Sequence, residues 1–457
     1  MPSFPHDRIE LLRRKMDIQS YEDEMLFTLL LLRRPDLHLA YVSSVDVPHE
    51  IIDYYLGFLP DVADARRRLT LISLGDDQQR PLSAKVLERE DVLAELRERA
   101  REPRRTYLLS TESTPLEASL AETLGIEILG SPPHLSELGY KTGSRLIARE
   151  AGVAVLEGAE GLHSLKEAER EIERLRAGRP EAEAVAIKLD RSFGGQGNAI
   201  LELAELKEPL ERSEASLGAH DSWHSFGAQL EEEGAIVEEF VRVHGTASPS
   251  VQLRISPQGD AGIMCTHDQI LGGPKSQGYV GSRFPADDSY RREIEKEAMK
   301  VASVLARKGV RGLFGVDFLV VPEADEPAYL IEINLRMTAT LRDFLAARAA
   351  TAGTYEPRSG HLVADGVSKS YVAISNLRAE KHRGTEPAAA LEMLQSGGLA
   401  FDPASRVGVV LHMIGALRAH GRFGATCIAD SIDDAEGLRL QLLDLFDART
   451  GTPKPPG

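Results

Sequence analysis

Four polar residues in the stretch FGVDFLVVPEADEPAYLIEINLRMTATL, Phe314 to Leu341, are spaced for chemistry: Asp317, Glu332, Asn334 and Arg336. The stretch reads as two strands, Val316–Val321 and Ala328–Asn334, joined by the turn-rich PEADEP. In simple register Val321 faces Ala328 and Asp317 faces Glu332, so the two carboxylates share a face. Asn334 and Arg336 continue on that face, because extended side chains alternate with period two. Opposed like charges are destabilising unless something compensates. A hard divalent cation would do so, and Mg²⁺ takes carboxylate and amide oxygens with phosphate oxygens completing its shell. The same pattern also suits a solvated face of an exposed hairpin.

Further candidates lie upstream. Lys141 starts a helix, Thr142–Glu150, closed by Gly152; a lysine there is more commonly surface than site. VAIKLDRSFGGQGNAIL (185–201) is a half-buried strand carrying Lys188, a glycine-rich loop and a second strand. In Phe193, Gly194, Gly195, Gln196 and Gly197 the glycines let backbone N–H groups approach an anion, which a nearby lysine would reinforce. A plain hairpin tip has the same composition. The loop is no Walker A motif, since no GKS or GKT follows. In IVEEFV (236–241) two acidic residues interrupt an apolar strand. Such an edge, with Glu238 or Glu239 beside it, can read an adenine edge, or it can be a charged strand margin. Arg254, His267, Asp268 and Arg283 lie near turns and are substrate candidates, though each suits a structural role when taken singly.

The elements needed to position these residues are legible too. LHLAYVSS (37–44), RLTLISLGDD (68–77) and RTYLLSTES (105–113) are apolar runs ending in small polar residues. Helical patterns separate them, which suggests parallel βαβ units. LSAKVLEREDVLAELRERARE (82–102) reads as one charged helix, and Met25–Arg33 as core helix or strand. No GxGxxG follows any of these strands, so a dinucleotide site here is unsupported. Later, VGVVLHMIGAL reads as a buried strand with His412 as a core histidine, and HGRFGATCIAD as a hairpin around Gly421–Gly424.

The 457-residue chain suffices for two or three domains, and its net charge of −17 argues against nucleic-acid or anionic-membrane partners. Two cysteines, Cys265 and Cys427, imply no disulfide framework and fit a reducing compartment. No apolar run approaches the roughly 20 residues needed to span a bilayer, and the N-terminus lacks a signal-peptide core. A cytoplasmic protein is the expectation.

Taken in order, Lys141, Lys188 with GGQG, VEEFV, Asp317 and Glu332-x-Asn334-x-Arg336 resemble the ATP-grasp superfamily, over roughly Ser131 to Leu345. The chain looks closest to the pheganomycin-type peptide ligases, through GYVGSRFPA (278–286), EINLRMTAT (332–340), YVAISNL (371–377) and GVVLHMIGALRAHGRFGATCIADS (408–431). The resemblance implies an α/β (α+β) fold. A parallel pre-ATP-grasp domain (1–130) would precede an ATP-grasp lid (131–242) and a large subdomain with a C-terminal extension (243–457), built on mostly antiparallel sheets. It implies ATP and Mg²⁺. Lys141 and Lys188 would hold phosphates under the glycine loop, with Glu238 on the adenine amino group and Val241 offering its backbone. Asp317, Glu332 and Asn334 would bind the metal, and catalytic Arg336 would polarise the acyl oxygen. The ribose partner is left open, Glu239 being one candidate. The implied reaction joins a small-molecule carboxylate to a peptide amine through an acyl phosphate. Another amine acceptor, or a nucleotide-binding protein without turnover, are the alternatives, and a homodimer is left open. Met337, Thr338 and Ala339 stand where the family often has glycines, which leaves the acceptor pocket's shape open.

Overall fold

The computed structural model describes residues 21–102, 105–192, 197–206, 209–213, 217, 220, 222–272, 278–322 and 328–449. Two compact units result. One comprises Met1–Pro133, Val280–Pro285 and Arg336–Gly457, the other His134–Tyr279 and Ala286–Leu335.

In the first unit the expected parallel strands form, but in short pairs. Leu39–Ser43 lies parallel to Leu69–Ser73, and Tyr107–Leu108 parallel to Glu127–Ile128. Helix Pro115–Leu124 starts at Thr114 with a capping box closed by Glu117 and ends at left-handed Gly125. The charged stretch expected as one helix is two, Leu82–Leu87 and Glu90–Arg99. Arg89 breaks it by adopting extended backbone, its guanidinium forked on Asp91. Met25 to Leu32 fall within the 3₁₀ helix Asp23–Arg33, buried on nearly every side.

Glu22, just before that helix, is a buried carboxyl with a measurable consequence. It accepts hydrogen bonds from the Ser44 N–H (2.7 Å) and hydroxyl (2.6 Å). Burial pushes it from 4.5 up to about 7, against the lowering pull of those bonds. The folded state therefore keeps a proton that the unfolded chain has lost between those values. Stability is fully present below about 4.5 and falls as pH rises to about 7, by up to ~3 kcal/mol. Thermal unfolding at about pH 5 and about pH 8 should show this loss in the wild type and a smaller one in Glu22→Gln.

The C-terminal part of the first unit is antiparallel. Val367–Arg378 pairs with Arg422–Ala429, which pairs with Gly408–His412. The hairpin expected around Gly421–Gly424 is absent. Gly421 ends the short helix Ala416–His420 in left-handed conformation, and Gly424 sits inside a continuous strand. A Cβ on Gly424 would stand 3.0 Å from the Ile374 carbonyl, so close strand approach explains that glycine.

The second unit holds two antiparallel layers. One sheet has strands in the order Gly158–Leu162, Ala235–Glu239, Ala184–Leu189, Asn198–Glu202. Helix Leu165–Gly178 contributes Ala168, Ile172 and Leu175 to its core. In the other, Tyr329–Asn334 pairs with Gly312–Leu319, then Pro249–Ile255, then Ala261–Gly272. Helix Asp288–Arg307 covers this sheet through Ile294, Val301 and Leu305, packed with Leu253, Phe314 and Leu330. Among the described residues no helix is long and apolar enough to cross a membrane.

Candidate active site

The hairpin brings its carboxylates together with the help of a bulge. Asp317 lies directly opposite Glu332, and Gly315 opposite Asn334. The expected pairing of Val321 with Ala328 does not follow. The register slips after Asp317, so Phe318 faces Leu330 and Leu319 faces Tyr329. Leu330 and Ile333 thereby both reach the core, while Glu332 and Asn334 stay half-buried beside it. The Asn334 amide donates to Asp317 Oδ2 at 3.0 Å.

Helix Lys141–Ala151 supplies the compensating cation. Lys141 Nζ donates to Glu332 Oε1 at 2.7 Å and also to the Ser192 carbonyl. The lysine is buried, unlike most. Its helix is fixed at two points. The Thr142 N–H donates to Asp190 Oδ1 at 2.8 Å, and the Ser144 hydroxyl accepts from the Ile333 N–H at 2.9 Å. Burial pushes the Asp190 carboxyl up, with the Thr142 bonds opposing. Asp190 immediately precedes the glycine loop, so helix start and loop base share one anchor. Of that loop, Phe193, Gly194, Gly195 and Gln196 lie outside the described residues. Gly197 accepts a backbone bond from the Leu189 N–H at 2.9 Å, closing the loop's base.

Lys188 sits opposite Ile236 on neighbouring strands, and its Nζ donates to Glu238 Oε1 at 2.5 Å. Arg145, one turn after Lys141, donates from Nη1 to Glu238 Oε2 at 3.0 Å. Its other nitrogens reach Glu160 Oε2 and the Leu156 carbonyl, each at 3.0 Å. Both Glu238 oxygens are thus engaged at 2% exposure. Glu238, expected on an adenine amino group, is held by Lys188 and Arg145 in this structure. Glu239 pairs with Arg179 at 3.4 Å, and burial pushes its carboxyl up. Val241 follows the end of the strand, just beyond the last ladder bond, from the Phe240 N–H to the Ala184 carbonyl.

Arg145, Asp190 and Ser144 escaped the sequence reading. The spacing of Arg145 from Lys141 puts both on one helix face, a usable signal. Nothing local marks Asp190 or Ser144.

The substrate candidates scatter. His267 is fully buried, and burial lowers it to about 3, so it is a neutral core residue. Asp268 accepts from the Tyr290 hydroxyl at 2.7 Å and the Asp287 N–H at 3.0 Å, clasping the start of helix Asp288–Arg307. Arg254 is exposed on its strand, opposite Gly262 and Leu313. Arg283, in the first unit, is exposed and faces Val372. Arg336 follows Asn334 by two residues; it is half-buried, with Nη1 3.4 Å from the Met337 carbonyl.

The donor set fits Mg²⁺. Two carboxylates and an amide supply hard oxygens. Among the described residues no group of three His, Cys, Asp or Glu is placed to hold a metal ion by itself.

Known proteins resemble this chain in sequence and in fold. A family model described as ATP-grasp domain matches residues 175–340, and one described as PGM1 C-terminal domain matches 389–442. The L-propargylglycine--L-glutamate ligase of Streptantibioticus cattleyicolor is 32% identical over 415 residues, covering 89% of this chain and 85% of that protein. This chain belongs to the ATP-grasp carboxylate–amine ligases. ATP-grasp enzymes use ATP and Mg²⁺. The fold of this ATP-grasp ligase is also that of biotin carboxylase from Campylobacter jejuni, with TM-score 0.59, 12% identity, and 94% and 93% of the two chains covered. N5-carboxyaminoimidazole ribonucleotide synthetase, purK, superposes with TM-score 0.56 at 14% identity, over 93% of this chain and 95% of its own.

Proposed function

We propose that this ATP-grasp ligase forms an amide bond between an amino-acid-like carboxylate and the amine of an amino acid or peptide, through an acyl phosphate. The observation that carries this reading is Glu332, opposed to Asp317 and ion-paired to Lys141 at 2.7 Å. Two opposed carboxylates beside a buried lysine are the charges that metal and phosphate chemistry would use.

A carboxylate is a poor electrophile. Its oxygen attacks the γ-phosphorus of ATP, ADP leaves, and the acyl carbon becomes reactive. The amine nitrogen then attacks that carbon, phosphate departs and the ammonium proton goes to solvent. Bound Mg²⁺ supplies charge neutralisation to the triphosphate. Asp317, Glu332 and Asn334 are the residues that would hold it. Lys141 and Lys188 neutralise phosphate oxygens, with Lys188 oriented by Glu238. The backbone from Glu239 to Val241 takes the adenine edge. Arg336 stabilises the developing oxyanion with its planar fork. The glycine loop excludes water from the acyl phosphate.

The relative's name, which joins L-propargylglycine to L-glutamate, supports amino-acid substrates. Incubation with MgATP, pooled L-amino acids and dipeptides is expected to release ADP and phosphate in step with a new amide mass. AMP and pyrophosphate would exclude the acyl-phosphate route, and no nucleotide turnover would leave a binding protein only.

A further inference from the structure

In the first unit, strand Arg422–Ala429 sets Arg422 directly opposite Arg378 of its neighbour. Opposed cations, like opposed carboxylates, need a counter-charge. Arg422 is largely buried, with a side chain 11% exposed, and its Nε makes no hydrogen bond among the described residues. Glu24 is its carboxylate partner, at a long 3.9 Å, and is shared with Arg342 at 3.4 Å. The nearby Asp343 carboxylate accepts from Arg342 Nε (3.2 Å) on one oxygen and from the Ser375 hydroxyl (3.2 Å) on the other. Burial lowers Arg422, and Arg342 and Arg378 lower it further against Glu24.

Polar groups continue along this face. The strand register slips between Ile374 and Leu377, a bulge of the kind that re-aims side chains beside sites. His412 lies opposite Gly424, two residues from Arg422; its Nε2 is 2.7 Å from the Thr426 hydroxyl, and its buried Nδ1 has no hydrogen-bond partner. The Tyr21 hydroxyl donates to Thr111 Oγ1 at 2.7 Å, within electrostatic reach of both Glu24 and Arg336.

We infer that Arg422, with Arg342 and Arg378 beside it, binds a carboxylate that the amine-bearing substrate keeps through the reaction. This rests on the ligase reading above and names its acceptor class: an amino acid or a peptide with a free acid. The donor's reacting carboxylate is consumed, so a standing anion site serves the acceptor. A guanidinium with an unmet N–H matches a planar carboxylate.

The test is isothermal titration of the full chain with L-glutamate, whose two carboxylates probe both positions. L-Glutamine, L-glutamate α-amide and inorganic phosphate are the comparison ligands. One of the two amides is expected to bind at least ~10-fold more weakly than L-glutamate. Arg422→Gln is expected to weaken L-glutamate by at least ~10-fold and to erase the acid–amide difference. Arg378→Gln, at an exposed position that folding tolerates, loses a few-fold. MgATP titrated into the same samples should be unchanged within about twofold. The inference falls if L-glutamate does not bind, if acid and amides bind alike, if phosphate competes equally, or if Arg422→Gln only lowers the melting temperature. Absent ADP release with intact acid–amide discrimination would remove the ligase reading and keep the anion site.

Discussion

Glu332→Gln is expected to slow ADP release by about 100- to 1,000-fold while leaving the fold intact. The substitution keeps shape and an acceptor oxygen, so Lys141 Nζ retains a hydrogen-bond partner at the position it now contacts at 2.7 Å. What disappears is one negative charge of the opposed pair. Preorganised electrostatic groups at reacting centres are worth about 3–4 kcal/mol, the basis of that range. The melting temperature should move by no more than about 2 °C, since the residue is half-buried rather than core. The Mg²⁺ concentration needed for half-maximal ATP binding should rise, a readout independent of turnover. Activity within threefold of wild type would remove Glu332 from the metal site.

Arg145→Met is expected to destabilise the second unit by about 3–5 kcal/mol, the cost of stripping one partner from a buried ion pair. The side chain is 1% exposed and holds two carboxylates and a carbonyl. Methionine fills similar volume but leaves Glu238 with Lys188 alone and Glu160 with Arg149. At about 2–4 °C per kcal/mol, the melting temperature should drop by roughly 10 °C. Lys188 would lose orientation, so KM for ATP should rise more than kcat falls. Adding Glu238→Gln should recover part of the lost stability, because it removes a buried carboxylate that has lost one of its two cations. Independent, additive losses would show that Arg145 and Glu238 do not act as a unit.

Much of the core arrangement was legible, and the reasons are local. Simple register pairs Asp317 with Glu332, and the structure keeps that pair, but only because a bulge at Ile331 offsets a tip register that differs from the expected one. Helix Lys141–Ala151 announces itself by its apolar face and Gly152. What could not be read depends on distant partners. Nothing near Glu238 in sequence reveals that Arg145 and Lys188 converge on it. His267 and Asp268 looked reactive by type, yet burial neutralises the first and a helix start occupies the second. The break at Arg89 and the straight strand through Gly424 were missed because turn-prone residues also serve where backbones merely crowd. The arginines around Glu24 come from segments some 300 residues or more away from it, beyond the reach of any motif.

The register slip after Asp317 leaves Ile331 without a partner across the ladder. That single supernumerary residue works as a phase buffer. Leu330 and Phe318 can meet in the interior without rotating Glu332 away from Asp317. Lengthening or trimming the hairpin tip therefore need not disturb the chemistry at its root, so related chains can vary the one while keeping the other.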